Sequence, residues 1–129
     1  MMRQGPIPRF AHGVIEYVAG VLLIAAPFLF GFDAAAAVAL SVVAGVVLLA
    51  VAASTEGPSS LVSSIPVSVH LLLDFVLAAV LIAAPFLFGF SDESAPTAFF
   101  LVLGVAHLLV TIGTQFKGPR APAADEPLR

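Results

Sequence analysis

The sequence predicts an all-α fold, namely an integral membrane four-helix bundle made of two tandem transmembrane helical hairpins. Three observations lead to this prediction. The chain is 60% hydrophobic and only 10% charged, whereas soluble domains carry about 25% charged residues. Four segments are long and apolar enough to cross a bilayer. The stretch LIAAPFLFGF occurs twice, at residues 23–32 and 81–90, which indicates an internal duplication.

Each of the four apolar segments has about 20 residues, the length that a helix needs to cross a hydrocarbon core of about 30 Å. They run roughly over Val14 to Phe32, Ala34 to Ala53, Val69 to Phe90 and Pro96 to Gln115. Backbone groups in lipid must be satisfied within the segment, so we expect helices. The polar breaks after the first and third segments are so short that the helices they join must be antiparallel neighbours.

The repeat extends well beyond the identical block. At an offset of 58 residues, His12 aligns with His70 and Glu16 with Asp74. Past the short breaks the offset becomes 59, and the match continues through the second span of each copy. Because each unit has two spans, both copies insert with the same polarity. We therefore expect a pseudo-two-fold axis along the membrane normal, the parallel type of repeat.

The chain divides into five parts on these patterns. They are an N-terminal segment (1–11), a first hairpin repeat (12–55), a linker (56–68), a second hairpin repeat (69–116) and a tail (117–129). The linker is rich in Ser, Gly and Pro, as connecting loops are. The tail has three prolines in 13 residues and no apolar face, which predicts disorder.

The basic residues predict the orientation. They all precede the first apolar segment or follow the fourth: Arg3, Arg9, Lys117, Arg120 and Arg129. The positive-inside rule therefore places both termini and the linker in the cytoplasm.

The repeated motif resembles that of the SPW-repeat membrane proteins of bacteria and archaea. Each copy has a small residue, a proline and an aromatic residue, then a Gly-Phe pair: Ala26-Pro27-Phe28 with Gly31-Phe32, and Ala84-Pro85-Phe86 with Gly89-Phe90. This chain has Ala-Pro-Phe where the family's motif has Ser-Pro-Trp. The resemblance covers about residues 12 to 115. It implies the four-span fold and the plasma membrane of a prokaryote, and it implies no mechanism.

Pro27 and Pro85 should kink or end their helices, because proline lacks the backbone donor and clashes with the preceding turn. One interpretation is a broken helix whose freed carbonyls line an ion site. We favour a structural kink near the outer surface. The phenylalanines around each proline would then form an aromatic anchor at the interface: Phe28, Phe30, Phe32, Phe86, Phe88 and Phe90.

A candidate site lies at the opposite, cytoplasmic end. His12 and Glu16 are four residues apart, as are His70 and Asp74, so each pair shares a helix face. The two-fold axis could bring all four side chains together. Carboxylates at this depth are rare and usually face the bundle interior or water. Three interpretations stay open: a structural ion pair or hydrogen bond, a proton or ion relay, and a divalent transition-metal site.

Other positions have simpler interpretations. His107 is expected near the membrane midplane, either satisfied on a neighbouring helix or passing protons. Its counterpart in the first repeat is Leu48. Small residues predict close helix packing, and they are Gly20, Ala37, Ser41, Gly45 and Gly104.

The sequence contains no cysteine and no phosphate-binding loop, nucleophile elbow or HExxH motif. We expect no enzymatic activity and no cofactor, and a structural, accessory or self-associating role. The alternative is a small proton or ion transporter that uses the paired His and carboxylate residues. The expected partners are the lipid bilayer and other membrane proteins or a second copy. No basic patch points to nucleic acid.

Overall fold

A computed structural model of the chain describes residues 6–55 and 57–114. These residues form four helices: α1, Arg9–Leu29; α2, Ala35–Ser54; α3, Val67–Leu87; and α4, Ser94–Gly113. All four are long and apolar enough to cross a membrane, which confirms the predicted fold class. The predicted disordered tail, residues 117–129, lies outside the described residues.

The helices pack as the two predicted hairpins. α1 packs along α2, and α3 packs along α4, whereas contacts between the hairpins, α1 with α4 and α2 with α3, are sparser. Large apolar side chains stay exposed on every helix, for example Val18, Val43, Leu72 and Val102. Such a surface would be an aggregation liability in water and is suited to lipid.

A proline precedes the first helix of each hairpin. Pro8 and Pro66 have extended backbones, with ψ of 151° and 148°, and the helices begin at the next residue. Both therefore begin before the predicted Val14 and Val69, because apolar length alone does not include the polar first turns. His12 and His70 consequently lie within the first two turns of α1 and α3.

Each repeated stretch contains the end of its helix, three residues before the predicted Phe32 and Phe90. Gly31 and Gly89 take positive φ values of 63° and 73°. The Phe32 N–H then donates to the Pro27 carbonyl, and the Phe90 N–H to the Pro85 carbonyl, both at 3.0 Å. This hydrogen bond is typical of a helix C-terminus that is capped by glycine. It requires a left-handed backbone at the capping residue, and glycine adopts that conformation without strain.

The hydrogen bond that Pro27 cannot make is supplied from α2. Without an amide hydrogen, Pro27 leaves the Leu23 carbonyl without its usual donor four residues on. The Ser41 hydroxyl donates to that carbonyl at 2.5 Å, and both residues are buried. In the second repeat Phe100 occupies the position of Ser41 and has no hydroxyl. The serine predicted as a packing residue therefore also satisfies the backbone of α1.

Glycines bring α1 and α2 into backbone contact. A Cβ added to Gly45 would lie 2.6 Å from the Gly20 carbonyl oxygen and 3.0 Å from the Ile24 amide nitrogen. The equivalent Cβ at Gly104 would meet the Ile82 side chain at 2.8 Å and backbone only at 3.3 Å. Ala37 is also fully buried in the core. The first hairpin is thus the more tightly constrained of the two.

A cluster of phenylalanines joins the hairpins at the end opposite the candidate site. Phe32 packs on Phe99 and Phe100, with ring centroids 5.9 and 6.5 Å apart, and Phe90 packs on Phe100 at 5.2 Å. Phe32 and Phe90 are buried, whereas Phe28, Phe30, Phe86 and Phe88 are exposed. The predicted aromatic anchor is therefore wrong for Phe32 and Phe90, because the chain turns inward after the glycine C-cap.

Gly45→Ala should destabilise the protein by about 1–3 kcal/mol, since the added methyl group meets backbone atoms that cannot move aside. Gly104→Ala is the matched control and should have the smaller effect, because the Ile82 side chain can adjust. Reversible unfolding in detergent micelles measures both values. Equal effects would contradict the difference in packing between the two hairpins.

Ser41→Ala should reduce the free energy of unfolding by about 0.5–1.5 kcal/mol, the usual net value of a hydrogen bond. The loss should shrink when Pro27 is also replaced by alanine, because the new amide can then donate to the Leu23 carbonyl. A double-mutant cycle measures this coupling. Additive effects would show that the Ser41 hydroxyl does not replace the missing amide.

Candidate functional site

Four ionisable side chains from α1 and α3 meet between these helices. His12 Nε2 lies 3.0 Å from Glu16 Oε1 and 3.2 Å from Asp74 Oδ2. His70 Nε2 lies 2.9 Å from Glu16 Oε1 and 3.2 Å from Asp74 Oδ2. All four residues are only 1–5% exposed. We call these residues the His–carboxylate cluster, and each ring in it faces one oxygen of both carboxylates.

Two threonines hold the outer nitrogens of the rings. His12 Nδ1 lies 2.8 Å from Thr114 Oγ1, and His70 Nδ1 lies 2.7 Å from Thr55 Oγ1. The Thr114 hydroxyl donates to the Val110 carbonyl at 2.5 Å. A hydroxyl has one hydrogen to donate, so Thr114 must accept its second bond from the ring. Thr55 donates to its own helix in the same way, at 2.6 Å.

This hydrogen-bond pattern fixes the tautomer of both rings. With Nδ1–H donating to a threonine, the Nε2 atom of a neutral imidazole carries a lone pair. In that state each Nε2 lone pair faces two carboxylate oxygens, which are also acceptors. The Nε2 lone pairs and the carboxylate oxygens repel one another unless protons or a cation lie between them. The centre therefore requires two positive charges to accompany its two carboxylates.

Each half of the cluster is completed by the other repeat. His12 belongs to the first repeat and bonds Thr114 at the end of the second, while His70 of the second repeat bonds Thr55 at the end of the first. Backbone hydrogen bonds join the same segments: the residues before α1 pair with the end of α4, and the residues before α3 pair with the end of α2. The Ile7 N–H donates to the Gly113 carbonyl at 2.9 Å, and the Ile65 N–H donates to the Ser54 carbonyl at 2.8 Å.

His107 approaches the cluster from α4. Its Nε2 lies 3.5 Å from Asp74 Oδ1, the oxygen that faces away from His12 and His70. Within residues 6–55 and 57–114, this buried nitrogen has no hydrogen bond of good geometry. His107 is thus placed to support Asp74 from behind, and the first repeat has no equivalent because Leu48 occupies that position.

The cluster can be reached from the linker side. A cavity of about 40 Å³ is lined by His12, Glu16 and His70 together with Arg9 and linker residues, and a site of this size can hold water. Ser59 packs over Gly13, where any Cβ would overlap it. In the opposite direction the core is apolar and contains Ala19, Leu23, Leu48, Leu81 and Phe100. Polar access therefore comes from one side.

The model of the SPW repeat domain family matches residues 9–114. The chain belongs to the SPW repeat family. The matched range runs from the first residue of α1 to Thr114, so this SPW repeat protein has both His–carboxylate pairs and both threonines inside the family domain. No curated protein and no solved structure matches the chain.

The fold brings together the four residues that the sequence singled out, but the two threonines were missed as site residues. Thr55 and Thr114 align at the repeat offset of 59, which was the available signal. Pro27 and Pro85 lie far from the cluster, in the last turns of α1 and α3. Glu93 was missed as well: its carboxylate accepts from the Asp33 and Ala34 amides at 2.7 and 2.9 Å, which joins the turn before α2 to the second hairpin.

Thr55→Val should destabilise the protein by about 1–3 kcal/mol, because it leaves the buried His70 Nδ1–H without an acceptor. Thr111→Val is the matched control. The Thr111 hydroxyl is buried and donates to the His107 carbonyl on its own helix at 2.8 Å, so its loss should have the smaller effect. Unfolding in detergent micelles compares the two variants, and a similar loss in both would contradict the role given to Thr55.

Proposed function

We propose that this protein is a non-enzymatic membrane protein in which the His–carboxylate cluster holds the two transmembrane hairpins together. Its role is then structural or accessory in a larger membrane assembly, or self-associating. The observation that carries this proposal is that the His–carboxylate cluster ends against the apolar core. Its four side chains are directed at one another and at two threonines, and the apolar core beyond them offers no polar continuation.

The outer surface supports a role in association. Two apolar grooves lie where the hairpins meet: one of about 530 Å³ between α1 and α4, lined by residues such as Leu22 and Phe99, and one of about 230 Å³ between α2 and α3. Lipid chains fit such grooves, and so does a helix from another membrane protein or from a second copy. The proposed partners are therefore the bilayer and other membrane proteins or a homo-oligomer.

We propose the plasma membrane of a prokaryote as the location, with both termini in the cytoplasm. All five Lys and Arg residues of the sequence lie at or before the start of α1 or beyond the end of α4. The tight turns at the other end carry only Asp33, Asp92 and Glu93 as charges. This asymmetry supports the orientation through the positive-inside rule.

A second candidate function is proton or ion transport. The cavity that reaches His12, Glu16 and His70 from the linker side favours it, because a transported ion needs an aqueous approach. The apolar core on the side of the cluster away from the linker argues against transport. A transporter would need an opening on that side, and the described residues do not show one.

Proteoliposomes and mild-detergent purification together test the structural role against transport. We expect no proton or cation flux above that of empty vesicles, and stable association with a second copy or another membrane protein. Flux that disappears in a Glu16→Gln/Asp74→Asn variant would overturn the structural role and establish the transporter. Val18→Ala, a change on the exposed face of α1, serves as the control variant that should leave vesicle behaviour unchanged.

A further inference from the structure

We propose that the His–carboxylate cluster binds one divalent transition-metal ion. Its ligands are Nε2 of His12, Nε2 of His70, and one oxygen each from Glu16 and Asp74. The ion would serve as the structural metal of the polar centre, so the proposal rests on the structural role given above and names the ligand of that site.

The donor atoms are spaced as ligands around a common point. The four nitrogen-to-oxygen distances are 3.0, 3.2, 2.9 and 3.2 Å, and all four donor atoms lie within 4.8 Å of one another. Donors held about 2.0–2.2 Å from a tetrahedral zinc ion lie about 3.3–3.6 Å apart. Small movements would therefore let one ion contact all four residues.

Nearly equal distances suit an ion at the centre of the cluster. Each Nε2 lies almost as close to the Glu16 oxygen as to the Asp74 oxygen, with differences of 0.2 Å for His12 (3.0 and 3.2 Å) and 0.3 Å for His70 (2.9 and 3.2 Å). Without an ion, His12 Nε2 shares its hydrogen bond between both oxygens. A cation at the centre would interact with all four donor atoms at once.

The residues behind the donors have the form of a metal site. Ligating histidines usually donate their second ring N–H to an oxygen, which fixes the tautomer and the orientation of the ring. Thr114 and Thr55 accept that bond from His12 and His70. His107 adds an independent observation: its buried Nε2, without a hydrogen bond among the described residues, lies 3.5 Å from the outer oxygen of Asp74. It is placed to support that carboxylate while the inner oxygen faces the ion.

Charge and access are consistent with a divalent ion. Two carboxylates, two neutral imidazoles and one divalent cation sum to zero, the state that a buried centre within a membrane favours. Two imidazoles with two carboxylates suit first-row ions such as Zn²⁺. The cavity on the linker side, about 40 Å³ in volume and lined by His12, Glu16 and His70, provides a route for the ion.

The test uses untagged, full-length protein in detergent, treated with a chelator and then titrated with Zn²⁺ and, separately, with Co²⁺. We expect one ion per chain by elemental analysis, and visible absorption bands typical of tetrahedral Co²⁺. The His12→Gln/His70→Gln variant should lose both. Thr55→Val/Thr114→Val should bind about 10–100-fold more weakly, the usual effect of removing such supporting contacts.

The control variant Asp92→Asn removes an exposed carboxylate and should keep one ion per chain with unchanged affinity. His107→Leu removes the imidazole behind Asp74 and should weaken binding about 10–100-fold, as the loss of a supporting contact does. Loss of the ion in Asp92→Asn would overturn the ligand set, and an unchanged ion content in His12→Gln/His70→Gln would do the same. If a variant fails to fold, the wild-type result still decides: no stoichiometric binding of Zn²⁺ or Co²⁺ overturns the proposal.

The same samples separate this proposal from the structural role. Protein that binds no metal yet keeps its partners and conducts no ions would overturn the metal site alone. Protein that conducts ions through the cluster would overturn the structural role, whatever its metal content.

Discussion

The burial of two carboxylates among apolar helices is the constraint on which this structure depends. An unpaired charge in such surroundings costs several kcal/mol even after relaxation, so the cluster must contain its own compensating charge and hydrogen bonds. Two imidazoles face the carboxylates, and two threonines orient the imidazoles. Both threonine hydroxyls donate their hydrogen to a carbonyl of their own helix. Every one of these groups comes from the first turns of α1 and α3 or from the ends of α2 and α4.

The two hairpins are joined at both ends, and fewer contacts join them at intermediate depth than join the helices within each hairpin. Polar contacts join them at the cluster, and phenylalanine rings join them at the other end, where Glu93 of the second hairpin also accepts from the Asp33 and Ala34 amides. Apolar grooves separate them at intermediate depth. Within the first hairpin, by contrast, Gly20 and Gly45 bring the two backbones into direct contact. The hairpins are therefore joined by polar contacts at one end, by phenylalanine rings at the other, and by a shared apolar core between the two ends.

Much of this architecture could be predicted from the sequence, for identifiable reasons. Composition and the exact repeat determine the number of spans, and the i, i+4 spacing of His12 with Glu16 and of His70 with Asp74 indicates the cluster. The helix ends could not be found from apolar length, because Pro8, Pro66 and the positive φ of Gly31 and Gly89 determine them. The threonines could not be assigned because the His12–Thr114 bond joins residues 102 positions apart. No local sequence pattern indicates this bond. The only indication is that Thr55 and Thr114 occupy equivalent positions of the two repeats.

The exchange of threonines between the repeats has a consequence for how such a chain can diverge. To the cluster and its two threonines, each repeat contributes one imidazole, one carboxylate and one threonine, so a single repeat could complete this arrangement only by pairing with another copy. In a symmetric pair, every substitution would occur twice around the axis. Covalent fusion removes that restriction, so a histidine can stand at position 107 opposite Leu48, and Phe100 opposite Ser41. The two repeats therefore stay alike at the residues that form the cluster. At other positions, one repeat can change without the other, so the two hairpins present different side chains.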